Sequence, residues 1–200
     1  DGSSNLDNGD CRMSSTVYRV GNVLYGVHST QANVHGGIQW FKINATDFTV
    51  IEAGIITDPQ LDLFYPSIAA NSNGVVVIGC NGSSRDLFVS SYAVVGDTST
   101  GSLKFGGLVL LKAGLVSYQD NDGSGSSRWG DYSATSIDPT DPNRFWTIQL
   151  YPSADDVWST QITELITSPI RLAAVHADAT IVLTWPGAAS GFQLQYAANL

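Results

Sequence analysis

Three stretches of this chain share one layout, and that layout limits the folds open to it. Each has a short β-forming run, a turn rich in Gly, Asn, Asp or Pro, a second run, and then an aromatic run. The first parts are Val17–His28, Tyr65–Gly79 and Tyr132–Gln149. The aromatic runs that follow are Ile38–Ile43, Leu87–Val94 and Val157–Ile162. Taking Ile38, Leu87 and Val157 as equivalent, the repeat spacings are 49 and 70 residues. The second is longer because a loop, Ser117 to Arg128, is inserted.

Alternation of period two places strands near 16–20, 22–29, 37–43, 48–55, 65–70, 74–80, 87–95, 106–112, 131–137, 144–151 and 157–165. Tight turns fall at Gly21-Asn22 and Asn73-Gly74, and a longer one at residues 138–143 carries two prolines that cannot donate to a ladder. Helical periodicity is nearly absent. Strand groups repeating at this spacing predict an all-β chain built as a partial β-propeller of about three four-stranded blades. The rival is a β-sandwich. Small residues (Ser67, Ala69, Ala70, Ser133, Ala134, Ser136) put the first strand of each blade innermost, with the aromatic third strands further out.

Domain boundaries follow: 1–166 as the C-terminal blades of a propeller, 167–170 as a linker, and 171–200 as a truncated sandwich segment. The last contains Ala179–Trp185, a Pro/Gly turn, and Phe192–Tyr196, and resembles the opening of a fibronectin-III-like domain. A closed ring needs at least about four blades. The chain opens on Asp1 with no Met, so the remaining blades are expected upstream.

Charge narrows the partners. Nine Lys+Arg against eighteen Asp+Glu give a formal net charge of −9. Nucleic acid is a poor partner for such a chain, since phosphates are neutralised by Lys and Arg, and anionic membrane surfaces are disfavoured likewise. No apolar run approaches the ~20 residues of a membrane span. Low Lys, abundant Gly, Ser, Thr and Asn, and five Trp suit a secreted or cell-surface β protein. Cys11 and Cys80 are the two cysteines, either one disulfide or two thiols. Asn44-Ala-Thr46 and Asn81-Gly-Ser83 match the glycosylation pattern.

Several segments occur in a telling order: residues 9–13, Val17–Gly21, Ile38–Phe41, Phe64–Asn71, Arg128–Ser133, Asp138-Pro139, Arg144–Trp146 and Asp156–Ser159. As a set they resemble a family of large secreted bacterial β-propeller proteins, distantly similar to sialidase-type propellers, over about residues 9–165. The resemblance implies fold and secretion, and no established reaction. The sialidase Asp-box is absent; Ser153, Asp155, Asp156 and Trp158 keep its Ser, Asp and Trp without its Gly turn. The arginines fall in no recognised sialidase triad.

Two segments carry the chemistry. Asp120-Asn121-Asp122-Gly-Ser-Gly125 alternates carboxylates around Gly, as a Ca²⁺ loop does, although no Glu stands at the twelfth position; its bland reading is a solvated acidic loop. Asp7-Asn-Gly-Asp10 is a weaker copy. Arg128-Trp129-Gly130-Asp131-Tyr132 enters a predicted innermost strand. Arg128 and Asp131 could hold an anionic ligand or pair with each other. Trp129 could stack on a sugar or pack in the core, and Tyr132 completes the ligand-binding set. Asp131 and Asp62 are a possible carboxylate pair for glycoside hydrolysis. His35, in the Asn33–Gly37 loop, reads as a surface residue. No Ser/His/Asp, zinc or phosphate-loop motif occurs. The expected function is an extracellular binding or scaffold module that contacts glycan or protein. The alternative is a sialidase-like or other glycoside hydrolase whose catalytic residues lie mostly upstream.

Overall fold

The computed structural model describes residues 6–7, 11–119, 127–130, 132–167, 173–177 and 180–184. The chain divides into two units, 1–167 and 168–200. In the second, β15 (Ala173–Ala177) and β16 (Thr180–Thr184) form an antiparallel hairpin. The predicted strand at Phe192–Tyr196 lies outside the described residues. The other strands belong to the first unit, and no helix occurs among the described residues.

The first unit is three antiparallel meanders in sequence order. One sheet is β2 (Tyr18–Val20), β3 (Val23–Ala32), β4 (His35–Asn44) and β5 (Val50–Ile56). The next runs β6 (Asp62–Ala70), β7 (Val76–Ser83), β8 (Ser90–Asp97) and β10 (Val109–Lys112), with the two-residue β9 (Lys104–Phe105) also on β8. The last is β12 (Ala134–Ile137), β13 (Arg144–Ala154) and β14 (Val157–Ile166). Each of the eleven strands read from the sequence has its counterpart here. A two-residue parallel pair of β1 (Leu6–Asp7) and β11 (Ser127–Arg128) adds a contact with no periodicity to betray it.

Turn chemistry closes the meanders. Gly21 takes a φ of +56° at the β2–β3 turn, and Asn33, at +58°, turns β3 into β4. The Asn71 carboxamide oxygen accepts the N–H groups of Asn73 (3.0 Å) and Val75 (2.9 Å), holding the β6–β7 turn. β8 starts at Ser90, not at Leu87 as the aromatic pattern suggested, because Ser84 N–H bonds to the Leu87 carbonyl and turns the chain there. His35 is the first residue of β4 and half-buried, so its reading as a surface loop residue was incorrect: the turn is only Asn33-Val34.

The sheets stack face to face. β6 lies against β2, β3 and β4 on one side and against β12 on the other, and β13 lies against β7 and β8. β6 is an edge strand of its sheet, yet Leu63 to Ala70 are all buried. At the opposite edges, β5 and β14 alternate between exposed and half-buried residues. Within the middle sheet burial falls outward from β6 to β10, whose residues are exposed or half-buried, whereas β2 and β12, the first strands of the other two sheets, are less buried than the strands that follow them. The all-β, partial-propeller class holds; of the small residues expected at the centre, Ser67, Ala69 and Ala70 of β6 are buried, while Ala134 and Ser136 of β12 are exposed.

Between the first two sheets pack Val27, Ile38, Trp40, Leu63, Ile68, Val76, Ile78 and Val94. Each fully buried aliphatic or aromatic side chain contributes about 1.5–3 kcal/mol. Between the second and third pack Ala69, Val77 and Phe145. There the packing is joined by buried polar groups. Ser67 and Thr135 share a hydrogen bond at 2.8 Å, Thr135 and Thr147 share one at 3.0 Å, and Gln149 Nε2 donates to Thr147 Oγ1 at 3.2 Å. Ser133 Oγ donates to the Tyr65 carbonyl at 2.9 Å. Both Ser67–Thr135 and Tyr65–Ser133 span 68 residues, close to the 70-residue repeat of the sequence. The two first strands thus lie side by side in register.

Two experiments follow from this packing. A Cβ at Gly79 would sit against Thr147 Oγ1 and 2.6 Å from Gln149 Nε2. Gly79→Ala should destabilise the chain by about 1–3 kcal/mol in chemical denaturation. Asp138 supplies a pH signal. Its carboxylate accepts the Thr140 hydroxyl, the Trp146 indole N–H at 3.0 Å and the Thr140 N–H at 2.8 Å, and these bonds lower its pKa to about 2. A lowered folded-state pKa stabilises above the ordinary carboxylate value near ~4, and that contribution is lost as pH falls toward about 2. Asp138→Asn should lower stability at pH 6 and flatten the loss between pH ~4 and ~2, read by thermal melts across pH.

Candidate functional site

The segment that enters β12 is held at two points by the middle sheet. Trp129 is 3% exposed, and its indole N–H donates to Asn81 Oδ1 at 3.2 Å. The Tyr118 ring meets it edge-on, with centroids 5.0 Å apart and planes at 82°. Phe64, Tyr65 and Val89 complete the cluster. Asn81, on β7, is itself fully buried, and its amide donates to the carbonyls of Ser90 (3.1 Å) and Leu150 (2.7 Å). One carboxamide thus ties together β7, β8, β13 and the Trp129 segment. The second point is the bond from Ser133 to Tyr65.

Tyr65 is the strained element of this region. Its φ is +48°, unusual for a bulky residue and more so before Pro66. It sits where the β6–β7 register shifts between Phe64 and Ser67. Its N–H donates to Ser29 Oγ at 3.1 Å from the first sheet, and its carbonyl receives Ser133 from the third. All three sheets therefore fix this one residue, which is how such a conformation persists.

The predicted ligand-binding residues part company. Trp129 packs inside, so the sugar-stacking reading of that residue is corrected: its ring face is spent on the core. Tyr132 is 72% exposed, and Arg128 is exposed at the end of β11. Asp131 lies outside the described residues, as do Asp120 and Asp122 of the predicted Ca²⁺ loop. Asp62 opens β6, and its Oδ1 accepts the Gly36 N–H at 2.6 Å with His35 Nδ1 at 3.4 Å. Among the described residues, no three His, Cys, Asp or Glu side chains converge as a metal site would require.

Asn81 and Tyr118 escaped the sequence reading. The only pattern on Asn81 was its sequon, and complete burial of its side chain removes that reading for the folded chain. Asn44 is half-buried, and its Oδ1 accepts the Asn22 amide and the Thr46 N–H, both at 2.9 Å. The cysteines are two free thiols, Cys11 exposed and Cys80 buried. Burial pushes the Cys80 pKa up to about 12.

Comparison with known proteins adds little to this geometry. No family model matches the chain, and no curated protein matches it. Among solved structures, the crystal structure of a thermostable family-43 glycoside hydrolase aligns with a TM-score of 0.40 at 11% identity. The alignment covers 82% of this chain and 54% of that one, so this chain spans about half the length of the hydrolase.

Asn81→Ala would remove the acceptor of the Trp129 N–H and one donor each from the Ser90 and Leu150 carbonyls, the latter keeping the Ser91 hydroxyl. It should cost roughly 2–4 kcal/mol and shift Trp emission toward the red, read by fluorescence-monitored unfolding. Thiol titration gives an independent check. Native protein should react once, at Cys11, and Cys80 should react only in denaturant. Fast reaction of both thiols in the native state would contradict the buried Cys80.

Proposed function

We propose that this chain is a binding or scaffold module of a secreted bacterial β-propeller protein, contacting glycan or extracellular protein through the Arg128–Tyr132 segment. One observation carries the reading. Tyr132 stands out in solvent from a segment whose neighbours Trp129 and Ser133 are both bonded into the middle sheet. An exposed aromatic ring whose next residue is already bonded to the core has less order to gain on binding, which lowers the entropic cost. The Tyr ring offers an apolar face and a hydroxyl, a combination suited to sugar rings and to peptide surfaces alike. Arg128 lies four residues before it and supplies a fixed positive charge.

The wider protein, on this reading, completes the ring with further blades upstream and continues into a fibronectin-III-like unit from about residue 171. Cell-surface or secreted placement accords with the low Lys content and the net charge of −9. Asp131 joins Arg128 and Tyr132 as the polar group of the site.

The test is a glycan and extracellular-matrix protein array probed with the chain and with Tyr132→Ala. Binding should appear in the first and fall at least tenfold in the variant. The variant's stability should stay within about 0.5 kcal/mol of the parent, since Tyr132 is a surface residue. Undiminished binding by Tyr132→Ala would take this segment out of the site.

A further inference from the structure

Tyr65 stands where the β6–β7 ladder is interrupted. The register passes from Phe64–Asn81 to Ser67–Gly79, so Tyr65 and Pro66 together oppose the single residue Cys80. Two residues against one make a β-bulge, and the kind whose first residue has a positive φ takes Gly there. This chain puts Tyr at that position, with a φ of +48°. A bulky side chain resists that conformation, and the following Pro66 biases the residue toward an extended one. What Tyr offers over Gly is its ring. The ring meets that of Phe64 edge-on at 5.9 Å, and the residue is buried in the cluster of Val89, Tyr118 and Trp129.

At the interruption the backbone of Tyr65 bonds sideways. Its N–H donates to Ser29 Oγ of β3 at 3.1 Å, and its carbonyl accepts Ser133 Oγ at 2.9 Å. Ser133 directly follows Tyr132 and leads into β12. The angle between the N–H and the carbonyl of one residue is set by its own φ and ψ. Both bonds can therefore be made together only while Tyr65 keeps the bulge conformation. Losing either one removes part of what holds the strain, and relaxation toward the extended form then endangers the other. Strain on one side and two bonds on the other are the makings of a two-state element.

We propose that Tyr65 is a positioning residue for Tyr132. In the bulge conformation it ties Ser29 of the first sheet to Ser133 beside Tyr132, and on relaxing it releases both together. The placement of Tyr132 then depends on a hydroxyl in a sheet to which it does not belong. The purpose of this role rests on the reading of Tyr132 as a binding group, whereas the coupling itself needs no ligand to be seen.

Ser29→Ala and Ser133→Ala, singly and together in the full chain, test it by chemical denaturation and backbone nitrogen relaxation. Each single variant should raise the unfolding equilibrium constant roughly fivefold. The double variant should stay close to that value, well short of the roughly twenty-five-fold product of independent sites. In Ser29→Ala the order parameter of the Tyr132 amide should fall from about 0.85 to below about 0.6. In Ser133→Ala the Tyr65 N–H should exchange with solvent roughly fivefold faster, although its own acceptor is intact. Ser29→Thr keeps the hydroxyl and should restore the parent behaviour. Ser99→Ala, in a turn where the hydroxyl bonds Asp97, should change neither amide. Fold-changes that multiply in the double variant would overturn the proposal. So would a Tyr132 order parameter that is the same in Ser29→Ala and in the parent, since a merely structural Ser29 disturbs only its own neighbours. Neither result depends on a ligand, so the array experiment judges the binding role separately.

Discussion

The sheet of β6, β7 and β8 has almost no solvent face, and the rest of the first unit follows from that. Sheets on both sides exclude water from it, so its apolar residues find a core in two directions. The same exclusion makes each polar side chain in it costly unless paired. Ser67, Asn71, Asn81 and Ser91 all meet this condition by bonding to groups of the third sheet or of the turn leading into it. These bonds specify register as well as stability. A slip of one residue would strand several buried groups at once and turn Ile68 and Ile78 away from the first sheet.

The candidate site is anchored to this arrangement at Trp129 and Ser133. Asn81 and Tyr65 belong to the middle sheet, and each holds one end of the segment that displays Tyr132. Tyr65 pays for its place with a backbone conformation that side chains resist, and three sheets hold it there. In the proposed binding role, such anchors would leave less freedom to lose when a ligand arrives.

Much of the fold could be read from residues because strand periodicity and turn chemistry are local. Alternation located the strands, and Gly21 and Asn73-Gly74 located turns. The 70-residue spacing reappears as bonds between Ser67 and Thr135 and between Tyr65 and Ser133. What escaped was the choice of distant partners. Trp129 reads equally as a platform or as core until Tyr118 and Asn81 are seen against it. Asn81 carried a misleading sequon because the pattern does not register burial. β1, β9, β11 and β15 are too short or too weakly patterned to stand out, and the first three exist through the strands they pair with.

The central claim is that one sheet is covered on both faces, and cross-sheet methyl and aromatic proton contacts by NMR test it most directly. Adjacent residues of β7 point in opposite directions. Ile78 should show nuclear Overhauser contacts to the cluster of Val27 and Ile38 in the first sheet. Val77 should show them to the Phe145 ring in the third. Contacts from one of these residues only, with the other facing solvent, would mean a two-layered sandwich and would contradict the stacked-blade account.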